Sequence, residues 1–168
     1  MLELIMVLML AGIVVTAAVP SYHSMIQRQK IRVGLDALNT SLALARNTAI
    51  SKNVPVMLCP STDGLSCYHT HYEQGWIVFF DANENSQRDP SSEALIWVQS
   101  TLEKELTLRA SKAYQSGIAF LPNGRLARGF SGNVTICINN SIQLASKIIM
   151  IASGRIRIEK NNISKCNL

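Results

Sequence analysis

The chain has 168 residues, 48% of them hydrophobic and 16% charged, which allows one small domain with an anchor, is too short for two ordinary domains besides, and excludes a disordered chain. With a mean hydropathy of +0.16, part of the apolar content is expected to face lipid. The net charge of +5 is uneven: residues 1–52 carry +3, residues 53–106 carry −6 and residues 107–168 carry +8. A C-terminal third this basic is expected either to attract a polyanion such as nucleic acid or an anionic membrane surface, or to form a solvated basic face.

Met1 to Val19 is apolar apart from Glu3 and just long enough to cross a ~30 Å hydrocarbon core at ~1.5 Å per residue. It reads as an anchor. A cleaved signal peptide ending at Val15-Thr16-Ala17 is the competing reading, disfavoured by the missing basic start and the acid at position 3. Pro20 is expected to kink the helix, after which Ile31, Leu35, Leu38, Leu42, Ala45 and Ala49 recur at alternating steps of four and three, one apolar stripe on an amphipathic helix. Arg28, Asn39 and Lys52 fall between the stripe positions. Such a helix would be about 75 Å long, so much of it is expected to protrude from a small head.

Val54-Pro55 is expected to end the helix. Strands are then predicted at Val56–Leu58, Trp76–Phe80, Leu95–Val98, Leu106–Arg109, Ile118–Leu121, Val134–Ile138, Lys147–Ile151 and Arg155–Ile158, with Asn123-Gly124 and Ser153-Gly154 as hairpin turns. The expected fold is α+β: a transmembrane part at 1–20, an amphipathic part of the same helix at 21–52, and a small antiparallel β-rich head at 53–168 with a basic tail, packed on the helix.

The four cysteines, Cys59, Cys67, Cys137 and Cys166, permit three pairings, which sequence cannot choose among. Cys59 with Cys67 and Cys137 with Cys166 is the simplest proposal, closing a short loop and tying a polar tail to a strand, and an oxidising compartment would favour both. Asp81, Asn83, Asn85 and Asp89 have the spacing of a calcium loop, but Ser86 stands in place of the usual glycine and Ser92 in place of the closing glutamate. A plain hairpin loop is expected there. Cys67, His69 and His71 alternate as zinc ligands could, yet cysteines in such a compartment usually pair. No metal and no cofactor are expected, and no phosphate-cradling glycine loop or nucleophile motif points to an enzyme.

On a strand, Arg155 and Arg157 would project to one face about 6.6 Å apart, with Ile156 and Ile158 on the other. Guanidinium forks match phosphate oxygens bidentately and without reading sequence. Gly154 would supply a tight turn and let the backbone approach a ligand, while Lys160 and Lys165 would extend the basic surface into the tail. The competing reading is a charged edge strand protected against aggregation.

The N-terminal run MLELIMVLMLAGIVVTAAVPSY, with an acid just inside the apolar segment and a proline after it, resembles type IV pilins and the pseudopilins of type II secretion. By that resemblance Glu3 is an assembly residue that pairs with a neighbouring subunit's N-terminal amine, and a carboxylate in lipid demands such a partner. Met1 then corresponds to an internal position, after the leader that prepilin peptidase would remove. Counted alone, Arg28, Lys30 and Arg32 would lie in the cytoplasm. The resemblance implies the opposite: an inner-membrane subunit with one spanning segment (residues 1–19) and a periplasmic head, which enters a pilus with other pilin subunits. VPVMLCPSTDGLSC, GWIVFFDANENSQRD and SGRIRI followed by Cys166 resemble the FimT and GspH group of minor pilins and pseudopilins. The sequence Gly154-Arg155-Ile156-Arg157 matches the basic GRxR feature that in FimT-type proteins implies DNA binding and uptake in natural transformation. The rival expectation is a GspH-like secretion pseudopilin whose basic end contacts protein.

Overall fold

The computed structural model describes residues 2–69, 71–160, 163 and 166, without the side chains of residues 2, 5, 8 and 10–21. Helix α1 (Leu2–Lys52) is followed by eight strands: β1 (Val56–Pro60), β2 (Trp76–Phe80), β3 (Leu95–Gln99), β4 (Leu106–Ala110), β5 (Ile118–Phe120), β6 (Gly132–Ile138), β7 (Ser141–Met150) and β8 (Ile156–Lys160). α1 is one element through Pro20 and stops where Asn53 takes a left-handed φ of 55° ahead of Pro55. Asparagine tolerates that conformation at a helix end.

Among the described residues no helix is long and apolar enough to cross a membrane. Most of the expected anchor, residues 10–21, falls where side chains are not described. Leu4, Met6, Val7 and Met9 are exposed, as are Tyr22 and Met25, so this end of α1 stands clear of the head.

The strands form two antiparallel four-stranded sheets, ordered β3-β2-β1-β5 and β4-β6-β7-β8. The expected stripe of α1 is the seam between them: Ile31, Leu35, Leu38, Leu42, Ala45 and Ala49 are all buried. They share one core with Val56, Leu58 and Val78 of the first sheet and Leu108, Ile136 and Ile148 of the second. Neither sheet could bury its inner face without the helix, which explains why the stripe keeps to one line for five turns.

The outer face of each sheet is covered by a disulfide loop. Met57, Cys59, Ile77 and Phe79 form a second buried cluster, against which Cys67 packs, and Cys59 is bonded to Cys67. Cys137 is bonded to Cys166, and with Ala145 and Ile163 they cover the outer face of the second sheet. Asp63 organises the first loop: Oδ1 accepts the Leu65 and Ser66 N–H groups at 2.8 and 2.9 Å and Oδ2 accepts the Tyr68 hydroxyl at 3.1 Å. Those bonds, the Ser66 amide first, hold its carboxyl down at about 2.

Most strand ends differ from expectation by one or two residues, and two of the starts bear on the site. β7 begins at Ser141 instead of Lys147, joined to β6 by Asn139 and Asn140 with φ of 48° and 56°. Consecutive left-handed residues make a two-residue hairpin turn, a signal hidden by the absence of glycine. β8 begins at Ile156, so Arg155 belongs to the preceding turn.

Candidate nucleic-acid interface

The β7–β8 connection closes through Gly154 N–H to Ile151 O at 2.8 Å and Ile151 N–H to Arg155 O at 3.1 Å, with Gly154 at φ 79°. The segment after β5 repeats this geometry: Gly124 N–H bonds Leu121 O at 2.8 Å and Leu121 N–H bonds Arg125 O at 2.9 Å, with Gly124 at φ 75°. The turns are packed together. A Cβ on Gly154 would lie 1.9 Å from Gly124 O, Leu126 N–H donates to Ala152 O at 3.1 Å, and Arg46 Nε from α1 donates to Gly124 O at 2.9 Å. Gly154 is therefore buried, and the backbone it admits closely is that of Gly124.

Arg125 and Arg155 each follow one of these glycines and both are exposed, one Cα step of ~3.8 Å from the contact. Gly124 also abuts Ile50 near the end of α1, which places the pair at the end of the head remote from the apolar start of the helix. Arg125 is the residue that sequence reading missed. Its signal is the echo between Asn123-Gly124-Arg125 and Ser153-Gly154-Arg155.

The register of β8 sorts the remaining candidates. Arg157 lies opposite Ile149 and Glu159 opposite Lys147, so Arg157 shares the outer face with Glu159. Arg157 Nη2 is 3.8 Å from Glu159 Oε2, which is 3.5 Å from Lys147 Nζ. Glu159 thus offsets part of the positive charge there. Lys160 lies opposite Ser146 on the inner face and lines a cleft of about 500 Å³ together with Arg28 and Arg32 of α1. β8 separates it from Arg155 by five residues, about 17 Å. The expectation that Lys160 extends the Arg155 and Arg157 surface does not hold, because strand alternation turns it toward the helix. Lys165 lies outside the described residues. Glu3 is exposed in the first turn of α1. His69 and His71 have no thiolate beside them, since the Cys67 sulfur is bonded to Cys59.

A long N-terminal helix seaming an antiparallel β head defines a subunit of the type IV pilin class. Residues 35–154 match the family model described as "Type II transport protein GspH", and the chain belongs to that family. Its fold is similar to the type IV minor pilin FimU of Pseudomonas aeruginosa, at 19% identity over 84% of this chain and 98% of that one, TM-score 0.65. It is also similar to the minor pseudopilin EpsH from the type 2 secretion system of Vibrio cholerae, at 11% identity over 80% of this chain and 99% of that one, TM-score 0.54. No curated protein sequence matches it.

Proposed function

We propose that this chain is a FimT-like minor pilin that binds extracellular DNA without sequence preference and supports DNA uptake in natural transformation. The observation that carries this reading is the contact between Gly124 and Gly154, which gathers Arg125 and Arg155 at the remote end of the head, with Arg157 two residues on. A rigid array of guanidinium groups suits phosphate oxygens. With two or three phosphates in reach, each copy binds modestly, and several copies or sustained retraction accomplish capture.

In this reading the exposed apolar residues Leu4, Met6, Val7 and Met9 meet the inner membrane before assembly and neighbouring pilin helices after it. Glu3 pairs with a neighbour's N-terminal amine, prepilin peptidase prepares the subunit, and the chain itself catalyses no reaction. A second reading is a secretion pseudopilin making protein contacts only. It is favoured by Glu159, whose carboxylate engages Arg157 and would repel a phosphate backbone.

DNA affinity of the full chain in nonionic detergent, measured at several salt concentrations, separates the two. The expected slope of log K against log salt is about −2 to −3, reduced by about 1 in each of Arg125→Gln, Arg155→Gln and Arg157→Gln, with Lys160→Gln close to the parent. No binding at low salt would support the pseudopilin reading instead, and binding unaffected by the three arginine substitutions in folded protein would move the DNA contact to another basic surface.

A further inference from the structure

The β2–β3 connection contains the Asp81, Asn83, Asn85 and Asp89 spacing that the missing glycine argued against as a metal loop. Its backbone makes the turns regardless, with Glu84 and Ser86 at left-handed φ of 57° and 63°. Asn83 Oδ1 accepts Asn85 N–H at 3.1 Å and Asn85 Oδ1 accepts Gln87 N–H at 2.7 Å. The side-chain amides of Asn83 and Asn85 both donate to Asp89 Oδ2, at 2.7 and 3.4 Å. Glu93 joins the ends of the loop, accepting Ala82 N–H and Asp89 N–H at 3.0 Å each.

The observation that points to a ligand is at Asp81, which is only 2% exposed. Its Oδ2 accepts Ser86 N–H from across the loop at 3.2 Å, so the carboxylate faces the residues of its own loop. Its Oδ1 is buried and accepts no hydrogen bond from the protein. A buried anionic oxygen with no donor carries its desolvation penalty uncompensated. A cation against Oδ1 would offset that penalty.

We propose that residues 81–89 form a calcium site, with Asp81 Oδ1, the side-chain oxygens of Asn83 and Asn85, the main-chain carbonyl of Gln87 and the Asp89 carboxylate as ligands. All five donors are oxygens, the set a hard cation takes, and an irregular loop suits the flexible six- to eight-fold coordination of calcium better than the strict octahedron of magnesium. Only two of the ligands are carboxylates. This agrees with the lack, among the described residues, of a metal-holding group of three His, Cys, Asp or Glu side chains. Arg88 connects the site to the rest of the head, donating to Glu93 O at 3.2 Å and to Leu65 O in the disulfide loop at 3.0 Å. Bound calcium therefore stiffens two loops over the first sheet.

The test is calorimetric titration and thermal unfolding of the full chain in nonionic detergent after chelator treatment, with CaCl₂ and MgCl₂ as the probes. One calcium per chain and a raised Tm are expected, with affinity lowered at least about tenfold in Asp81→Asn and Asp89→Asn and little changed in Glu84→Gln. Should Asp81→Asn fail to fold, Asp89→Asn and the exposed Asn83→Ala carry the comparison. No heat and no Tm shift at ~5 mM calcium, undiminished binding in the folded variants, or an equal response to magnesium would overturn the assignment.

Discussion

Gly154 lies against Gly124 so tightly that a methyl group on it would sit 1.9 Å from the Gly124 carbonyl oxygen. The first residue of the GRxR sequence is thus a packing residue, and the arginines after it depend on that contact for their position. Gly154→Ala would meet both the overlap and the left-handed φ of 79°. It is expected to destabilise the head by more than ~2 kcal/mol, read as a lower midpoint in urea with an unchanged slope. Arg155→Gln is expected to leave the midpoint within about 0.5 kcal/mol of the parent.

Glu159 faces the same side of the sheet as Arg157, between it and Lys147. Glu159→Gln removes a negative charge from the proposed DNA surface and releases two cations. Affinity at low salt is expected to rise by roughly fivefold, with a steeper salt dependence. Fluorescence anisotropy with a short duplex measures both.

Asp63 draws two backbone amides and the Tyr68 hydroxyl into the loop closed by Cys59 and Cys67. Its carboxyl, held at about 2 against an ordinary 3.8, favours the folded loop fully above the ordinary value. That contribution is lost as pH falls from about 4 toward 2. Amide exchange at Leu65 and Ser66 is expected to lose protection across that window, and Asp63→Asn is expected to remove the pH dependence at neutral pH and below.

Cys166 fastens the chain's last segment to β6 through Cys137, 29 residues away in sequence. Replacing both cysteines by serine is expected to cost about 3 to 4 kcal/mol through restored loop entropy in the unfolded chain, read as a lower Tm. Proteolytic release of the tail is the accompanying signature. Bonding to Cys59 and the core of the first sheet is expected to be unaffected.

The helix was legible residue by residue, since the stripe from Ile31 to Ala49 is a local periodicity and all six positions are buried. Most strands were legible too, through β-branched and aromatic runs. β7 was read too short because Ser141, Gln143 and Ser146 dilute the pattern, and its turn uses two asparagines where a glycine was sought. The disulfide pairing proposed as the simplest of three, Cys59 with Cys67 and Cys137 with Cys166, is the one the fold makes, though only the tertiary structure could choose it.

The sequence by itself determined the long helix, the β-rich head and the basic character of the last third, because each follows from composition and short-range periodicity. Only the tertiary structure decided which charges share a face. Arg125 and Arg155 are thirty positions apart and each follows one of two glycines whose turns interlock, while Lys160, close to Arg157 in sequence, is turned to the other face by strand alternation and register. The orphaned oxygen of Asp81 has the same origin: its burial and its missing donor are set by packing among β2, β3 and their loop, which no local pattern encodes.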